Sequence, residues 1–190
     1  MSSQIQNEIA NVLEQWSNEK IIKAKGILTR YGAIASENLS ASLMTFDVKV
    51  LGDTISIGIG FVDNAKSQAS EYYKYADEGV KGIGGGKSQA VTTGRFSYKN
   101  AFVSKKMVSS IQSWIGQKGI QVRTSNKQKT SDVIKRSESL AYVIAKSIKR
   151  TGIGKTMFWS DTFNQKAYDE LVQMIEDATG KSYSLTFKDI

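Results

Sequence analysis

The run TFDVKVLGDTISIGIGF, residues 45–61, carries the clearest structural signal in this chain. Apolar and polar residues alternate through FDVKV before Gly52-Asp53, and again through TISIGIGF after it. A period of two is typical of β-strands with one buried face. Gly-Asp between two such runs predicts a tight turn in which Gly52 has a positive φ. The sequence therefore predicts a β-hairpin over residues 45–61.

Helical periodicity flanks the hairpin on both sides, because apolar residues recur there every three or four positions. We predict helices from the N-terminal region to about Tyr31, over residues 63–78, from near Tyr98 (with Phe102 in its apolar stripe) to Gly116, from around Leu140 to Gly152, and from Gln165 to Ala178. The terminal SYSLTF alternates and is expected to form an edge strand.

These elements predict an α+β fold, with helices packed on a small antiparallel sheet built round a β-hairpin. We expect a single connector-type domain over residues 1–190, with extended basic loops at 79–98 and 121–136. The glycines and the absence of periodicity indicate the first loop, and polar, basic composition indicates the second.

Positive charge is concentrated in the middle of the chain. The 190 residues hold 26 Lys or Arg and 18 Asp or Glu, a net charge of +8. Residues 81–155, here called the basic belt, contain sixteen of the basic residues and only two acidic ones. Such a surface favours an anionic partner, and nucleic acid is the commonest. An anionic membrane, an acidic protein and a merely solvated face are the alternatives.

Residue types that are missing argue against an enzyme. The chain has no His and no Cys, which removes the usual general base, the commonest metal ligands and the cysteine nucleophile. We therefore predict no enzymatic activity, no catalytic residue, no metal site and no cofactor. The chain has no run of 18 apolar residues, and no apolar signal segment begins it, so a cytoplasmic setting without a membrane partner is expected.

Two Gly-Lys clusters resemble phosphate-binding loops but lack their spacing. They are GIGGGKS at 82–88 and TGIGKT at 151–156. A P-loop requires glycine five residues before the Gly-Lys pair, and this chain has Lys81 and Lys149 there. A flexible loop and a helix C-cap are the better interpretations.

The basic residues of the belt fall mainly in polar loops and near helix ends, with few aromatic residues among them. This pattern favours attraction to a phosphate backbone over recognition of bases. We predict that the residues facing DNA or an acidic partner are Lys105, Lys106, Arg123, Lys127, Lys129, Lys135, Arg136, Lys149, Arg150 and Lys155.

Several short phrases, over roughly residues 20–165, resemble the head–tail connector, tail-completion and neck proteins of tailed bacteriophages. They are AKGIL at 24–28, the hairpin at 45–61, YYKYADEGVKG at 72–82, AYVIAKSIKRTGI at 141–153 and MFWSDTF at 157–163. This chain departs from the family pattern in two respects. It lacks the proline-containing phrase after the first helix, and its loop after Gly79 is long.

The resemblance implies a structural virion protein of the phage neck or tail, assembled in the host cytoplasm. Its copies, six or twelve, would form a ring around the DNA channel that joins portal and head to tail. The implied partners are further copies of the chain, adjacent portal, neck or tail ring proteins, and double-stranded DNA bound without sequence specificity. A free nucleic-acid-binding protein for packaging or condensation, acting through the basic belt, is the alternative.

The tyrosine-rich phrase is the predicted contact with another subunit or ring. Tyrosine buries a large area at low entropic cost and is enriched in interfaces. The predicted contact residues are Tyr72, Tyr73, Tyr75, Asp77 and Glu78. The alternative is that Tyr72 and Tyr75 close the core of their own subunit.

Overall fold

The computed structural model describes residues 3–31, 39–52, 54–63, 69–84, 95–120 and 130–186, the side chains of 130–135 excepted. The helices are α1 (Ser3–Tyr31), α2 (Ala69–Glu78), α3 (Lys105–Gln117), α4 (Thr130–Thr151) and α5 (Gln165–Thr179). The strands are β1 (Leu43–Thr45), β2 (Lys49–Leu51), β3 (Thr54–Ser56), β4 (Ile59–Phe61), β5 (Val80–Lys81), β6 (Phe96–Ser97) and β7 (Gly152–Ile153). Helices combined with small, mostly antiparallel sheets confirm the predicted α+β class.

The chain divides into two compact units. Unit 1 consists of Met1–Tyr73 and Thr156–Ile190, and unit 2 consists of Lys74–Lys155. Both ends of the chain therefore contribute to unit 1, and unit 2 is formed by one continuous segment. The single connector-type domain expected over 1–190 stays a prediction.

The predicted hairpin is present in unit 1. β1 pairs with β4 and β2 pairs with β3, both antiparallel, and Gly52 at the turn has a φ of 60°. Between the two ladders, the Phe46 backbone N–H donates to the Gly58 carbonyl at 2.8 Å. The Phe46 ring also covers Gly58 and Gly60, where an added Cβ would come within 3.1 and 3.3 Å of it. The two glycines thus leave room for this ring.

The core of unit 1 forms where α1 meets α5. Helical spacing puts Ile9, Leu13 and Trp16 on one face of α1, and they pack against Ala167, Leu171 and Ile175 of α5. The Trp16 indole Nε1–H donates to the Ala167 carbonyl at 3.1 Å, so this buried donor is satisfied. The closing contacts of unit 1 therefore join residues about 150 positions apart in the sequence.

Unit 2 is built from a helix pair and a small sheet. Ile111 and Ile115 of α3 pack on Ala141 and Ala145 of α4, whose small side chains permit close packing. In the sheet, β5 lies between β6 and β7, parallel to β6 and antiparallel to β7.

Helix boundaries agree with the sequence at several places. α1 ends at Tyr31, α4 ends just before Gly152, and α5 begins at Gln165. Gly152 has a φ of 87°, as the C-cap interpretation of TGIGKT requires. The glycines of the other cluster, from 85 onward, lie outside the described residues.

Three sequence predictions are wrong. The loop at 121–136 extends too far, because α4 begins at Thr130. The helix expected from near Tyr98 starts only at Lys105, where the Ser104 hydroxyl accepts the Met107 N–H at 3.2 Å and caps it. Residues 182–186 form no strand, because Tyr183 and Leu185 pack against the core of unit 1 instead of pairing along an edge.

The loop at 79–98 is shorter than predicted, since β5 and β6 occupy its two ends. Its middle, residues 85–94, lies outside the described part of the chain. Among the described residues, no helix combines the length and apolar character needed to cross a bilayer.

Candidate nucleic-acid interface

The charge of this protein separates along the boundary between its two units. Unit 2 carries seventeen Lys or Arg and four Asp or Glu, a formal net charge of +13. Unit 1 carries nine and fourteen, a net of −5. The basic belt of the sequence is therefore almost the whole of one compact unit, and its charge is concentrated there.

The exposed face of α4 carries a row of cations. Arg136, Lys146 and Arg150 are all exposed, and Val143 lies between them on the same side of the helix. A spacing of seven residues returns to nearly the same helical face, so Arg136 and Arg150 lie about 21 Å apart along the axis at ~1.5 Å per residue. This row is long enough to contact several phosphates of a nucleic acid backbone.

The end of α4 is held in place by the segment after β5. The Ile83 N–H donates to the Lys149 carbonyl and the Gly84 N–H donates to the Arg150 carbonyl, both at 3.0 Å. These bonds satisfy carbonyls that the end of a helix leaves without an intrahelical partner. They also fix the backbone that carries two of the predicted DNA-facing residues.

Close backbone packing at this point requires glycine. An added Cβ at Gly82 would lie 2.1 Å from the Arg150 carbonyl oxygen, and one at Gly152 would lie 2.2 Å from that of Val80. Gly152 also has a positive φ, which side chains disfavour. The glycines that suggested a phosphate loop thus serve the pairing of β5 with β7.

Lys149 differs from the other cations of α4. It is partly buried, and its Nζ lies 4.4 Å from the centroid of the Tyr98 ring, a cation–π contact. Burial raises the pKa of the Tyr98 hydroxyl above its usual value of 10. Lys149 therefore helps to hold β6 and the residues after it against α4, and it is less available to a partner than Arg150.

Two more cations lie at the start of α3. Lys105 and Lys106 are exposed in its first turn, which contains no acidic residue. Positive charge at a helix N-terminus opposes the helix dipole and is mildly destabilising. Two lysines in this place therefore favour a role in binding an anion.

The remaining predicted DNA-facing residues are only partly described. Lys155 is exposed just after β7. Lys135 lies in α4, where its backbone alone is described. Arg123, Lys127 and Lys129 lie outside the described residues. Each residue of this set that the structure describes belongs to unit 2.

The predicted contact group on α2 separates into different environments. Tyr72 is 50% exposed and Tyr75 is 42% exposed, with the Tyr75 ring 4.4 Å from that of Phe96. Tyr73 instead packs within unit 1, with its ring centroid 5.1 Å from Phe61 and 5.3 Å from Trp159. Tyr72 and Tyr75 thus keep surface for a partner, and Tyr73 mainly contributes to an aromatic cluster.

The two acidic members of the group face inward. Asp77 is only 4% exposed, so its prediction as a contact residue is wrong, because a second copy cannot reach a buried carboxylate. Glu78 accepts an ion pair from Arg95 of the same unit at 2.8 Å. That pair lies at the surface and contributes little stability.

Sequence reasoning misplaced Phe102. It was assigned to the apolar stripe of a helix, but it precedes α3 and is 72% exposed. Ser104 could have revealed this, because serine is a preferred N-cap and a helix capped there excludes Phe102.

Comparisons with known proteins identify no relative. No protein-family model matches the chain, and searches of curated proteins and of solved structures likewise find no match.

Proposed function

We propose that this protein is a structural component of the neck or tail of a bacteriophage virion. In this proposal its copies form a ring around the channel that carries double-stranded DNA between head and tail. It acts by assembly and by non-specific contact with DNA, without enzymatic activity or a cofactor.

The separation of charge between the two units is the main support for this proposal. A compact unit of net charge +13 repels its own copies unless a polyanion lies close to them. A ring that encloses DNA supplies that polyanion to every copy at once. The phosphate backbone needs no sequence recognition, so contacts of this kind suit a channel along which any sequence must pass.

The sequence phrases that resemble neck proteins give a second line of support. Two of them, YYKYADEGVKG and AYVIAKSIKRTGI, meet in unit 2, where Val80 pairs with Ile153 and Lys81 pairs with Gly152. The phrases thus correspond to a structural unit in which helix ends and sheet are fastened together. Tyr72 and Tyr75 offer exposed aromatic surface for contact with a neighbouring copy.

The second candidate is a free nucleic-acid-binding protein that packages or condenses DNA. The exposed row of Arg136, Lys146 and Arg150 favours it, since one copy could bind a duplex through this row without a ring.

Electron microscopy of the purified protein, at concentrations typical of assembly, distinguishes the two candidates. Uniform rings without nucleic acid are expected from the neck proposal. Single copies that retard duplex DNA in a gel, with affinity that falls steeply as salt rises, would replace it by the second candidate. Single copies that leave the DNA unretarded would contradict both.

A further inference from the structure

An exposed aromatic side chain lies among the cations of unit 2. Phe102 is 72% exposed, and Lys99, Lys105 and Lys106, all exposed too, lie within four residues of it. Residues 95–120 contain no Asp or Glu. Apolar surface of this size is unfavourable in water, so its position in a wholly basic segment calls for a binding partner.

The backbone around Phe102 is held by local hydrogen bonds. The Phe102 N–H donates to the Asn100 side-chain oxygen at 3.1 Å, and the Ser104 hydroxyl caps α3 two residues later. Val103, next to Phe102, packs instead against the core of α3 and α4. The chain thus buries Val103 and directs Phe102 outward from a fixed base.

The chemistry of this segment selects among three classes of partner. An acidic polypeptide would match the lysines but offers no regular planar face for the ring. A second copy of this chain could cover the ring but carries a net charge of +8, which the lysines would oppose. A nucleic acid strand offers both features at every step, since each nucleotide joins a planar base to a phosphate.

We propose that Phe102 stacks on an unpaired base of DNA, with Lys99, Lys105 and Lys106 on the neighbouring phosphates. The bases of an intact duplex are already stacked on each other, so this contact needs a single-stranded segment or a frayed end. The inference rests on the DNA contact of unit 2 in the proposed function, but it does not require a ring. A protein that forms no rings could still show it, and a ring protein could lack it.

Fluorescence anisotropy with two DNA ligands tests the stacking contact. The ligands are an oligothymidylate of about 20 nucleotides and a mixed-sequence duplex of the same length, blunt and closed at both ends by hairpin loops of polyethylene glycol. Phe102→Ala is expected to weaken binding of the single strand roughly 5- to 100-fold, the range for loss of one base–aromatic stack. Binding of the closed duplex should change less than about twofold, because phosphate contacts dominate it.

Two further variants sharpen this test. Phe102→Trp should keep the affinity for the single strand, and the emission of its added indole should be quenched when thymidylate binds. Leu51→Ala is the matched control, since Leu51 is also 72% exposed but belongs to unit 1. It should bind both ligands as the unmodified protein does.

Three results would overturn the proposal. In the first, Phe102→Ala binds oligothymidylate as tightly as the unmodified protein. In the second, it loses affinity for both ligands equally, which would indicate a change in charge presentation rather than stacking. In the third, it alters the size of the particle in gel filtration while oligonucleotide affinity is unchanged, which would assign Phe102 to a protein contact.

Discussion

The backbone of Gly82 runs so close to Arg150 that an added methyl group would lie 2.1 Å from the Arg150 carbonyl oxygen. Neither partner is a flexible side-chain end, so the clash can be relieved only by moving β5 away from the end of α4. The same carbonyl accepts the Gly84 N–H at 3.0 Å, and this bond would be lost with the movement.

Gly82→Ala is therefore expected to destabilise unit 2 by about 3 kcal/mol or more, the range of severe backbone strain combined with a lost hydrogen bond. Urea unfolding followed by circular dichroism measures the effect. Gly116→Ala is the control, because that glycine lies in α3 with no atom within 4 Å of the new methyl group. It should raise stability by about 0.5–1 kcal/mol. Equal stabilities for the two variants would contradict the observed packing.

The exposed row on α4 predicts how duplex DNA binding depends on salt. Changing Arg136, Lys146 and Arg150 together to Gln removes up to three phosphate contacts. The slope of log K against log salt should then become shallower by roughly 2.7, at about 0.9 for each contact. Titrations of a duplex at several salt concentrations measure it.

The matched control for that experiment removes charge from unit 1. Arg30 and Lys181 are exposed there, and changing both to Gln should leave the slope within about 0.5 of its original value. If both sets of changes lowered the slope alike, binding would depend on net charge and not on the α4 row.

Tyr72 and Tyr73 are neighbours in sequence, yet their environments predict opposite effects. Tyr73→Ala opens the aromatic cluster with Phe61 and Trp159 and should cost unit 1 about 2–3 kcal/mol. Tyr72→Ala removes a half-exposed ring and should change stability by less than about 1 kcal/mol.

In the proposed neck protein, Tyr72→Ala should instead reduce ring formation. Light scattering over a range of protein concentrations measures assembly, and thermal unfolding measures stability on the same samples. Unchanged assembly in a folded Tyr72→Ala protein would remove Tyr72 from the predicted contact group.

The ion pair between α1 and α5 predicts a dependence of stability on pH. Lys20 Nζ donates to Glu170 Oε2 at 2.6 Å, and this hydrogen bond, with the charge of Lys20, lowers the pKa of Glu170 from its usual 4.5. Because the folded state holds the carboxylate more acidic than the unfolded chain does, the stabilisation is present above the usual pKa. It is lost as the pH falls through the lower, folded value.

Glu170→Gln should therefore lower stability near neutral pH, and its difference from the unmodified protein should shrink as the pH falls below about 4.5. Unfolding midpoints measured from about pH 6 to about pH 3 check this. Glu14→Gln removes the same charge from α1 without disturbing the pair. A difference for Glu170→Gln that stayed constant over this range would show that the pair does not titrate as described.

The sequence predicted best where one local pattern determines the structure. The alternation around Gly52 and the spacing of Ile9, Leu13 and Trp16 were sufficient for the hairpin and for α1. Both depend on neighbours within a few residues, and the structure agrees with them. The basic belt was also visible, because charge can be counted without knowing the fold.

Long-range contacts explain most of what the sequence could not predict. The pairing of β5 with β7 joins two short segments about 70 residues apart, and each is too short to show a strand pattern. Tyr183 and Leu185 alternate like a strand, but contact with the core of α1 and α5 prevails. The exposure of Phe102 depended on a single serine cap, which the apolar stripe around it concealed.

The order in which the ribosome releases the chain has a consequence for unit 1. Trp16 appears early, but Ala167, the acceptor of its indole hydrogen bond, emerges only after all of unit 2. The N-terminal helix must therefore wait, with half of its apolar seam uncovered, while the cationic segment is completed and can already fold. Nascent chains are thus most vulnerable to aggregation in this interval, and a chaperone that shields α1 would help most before α5 appears.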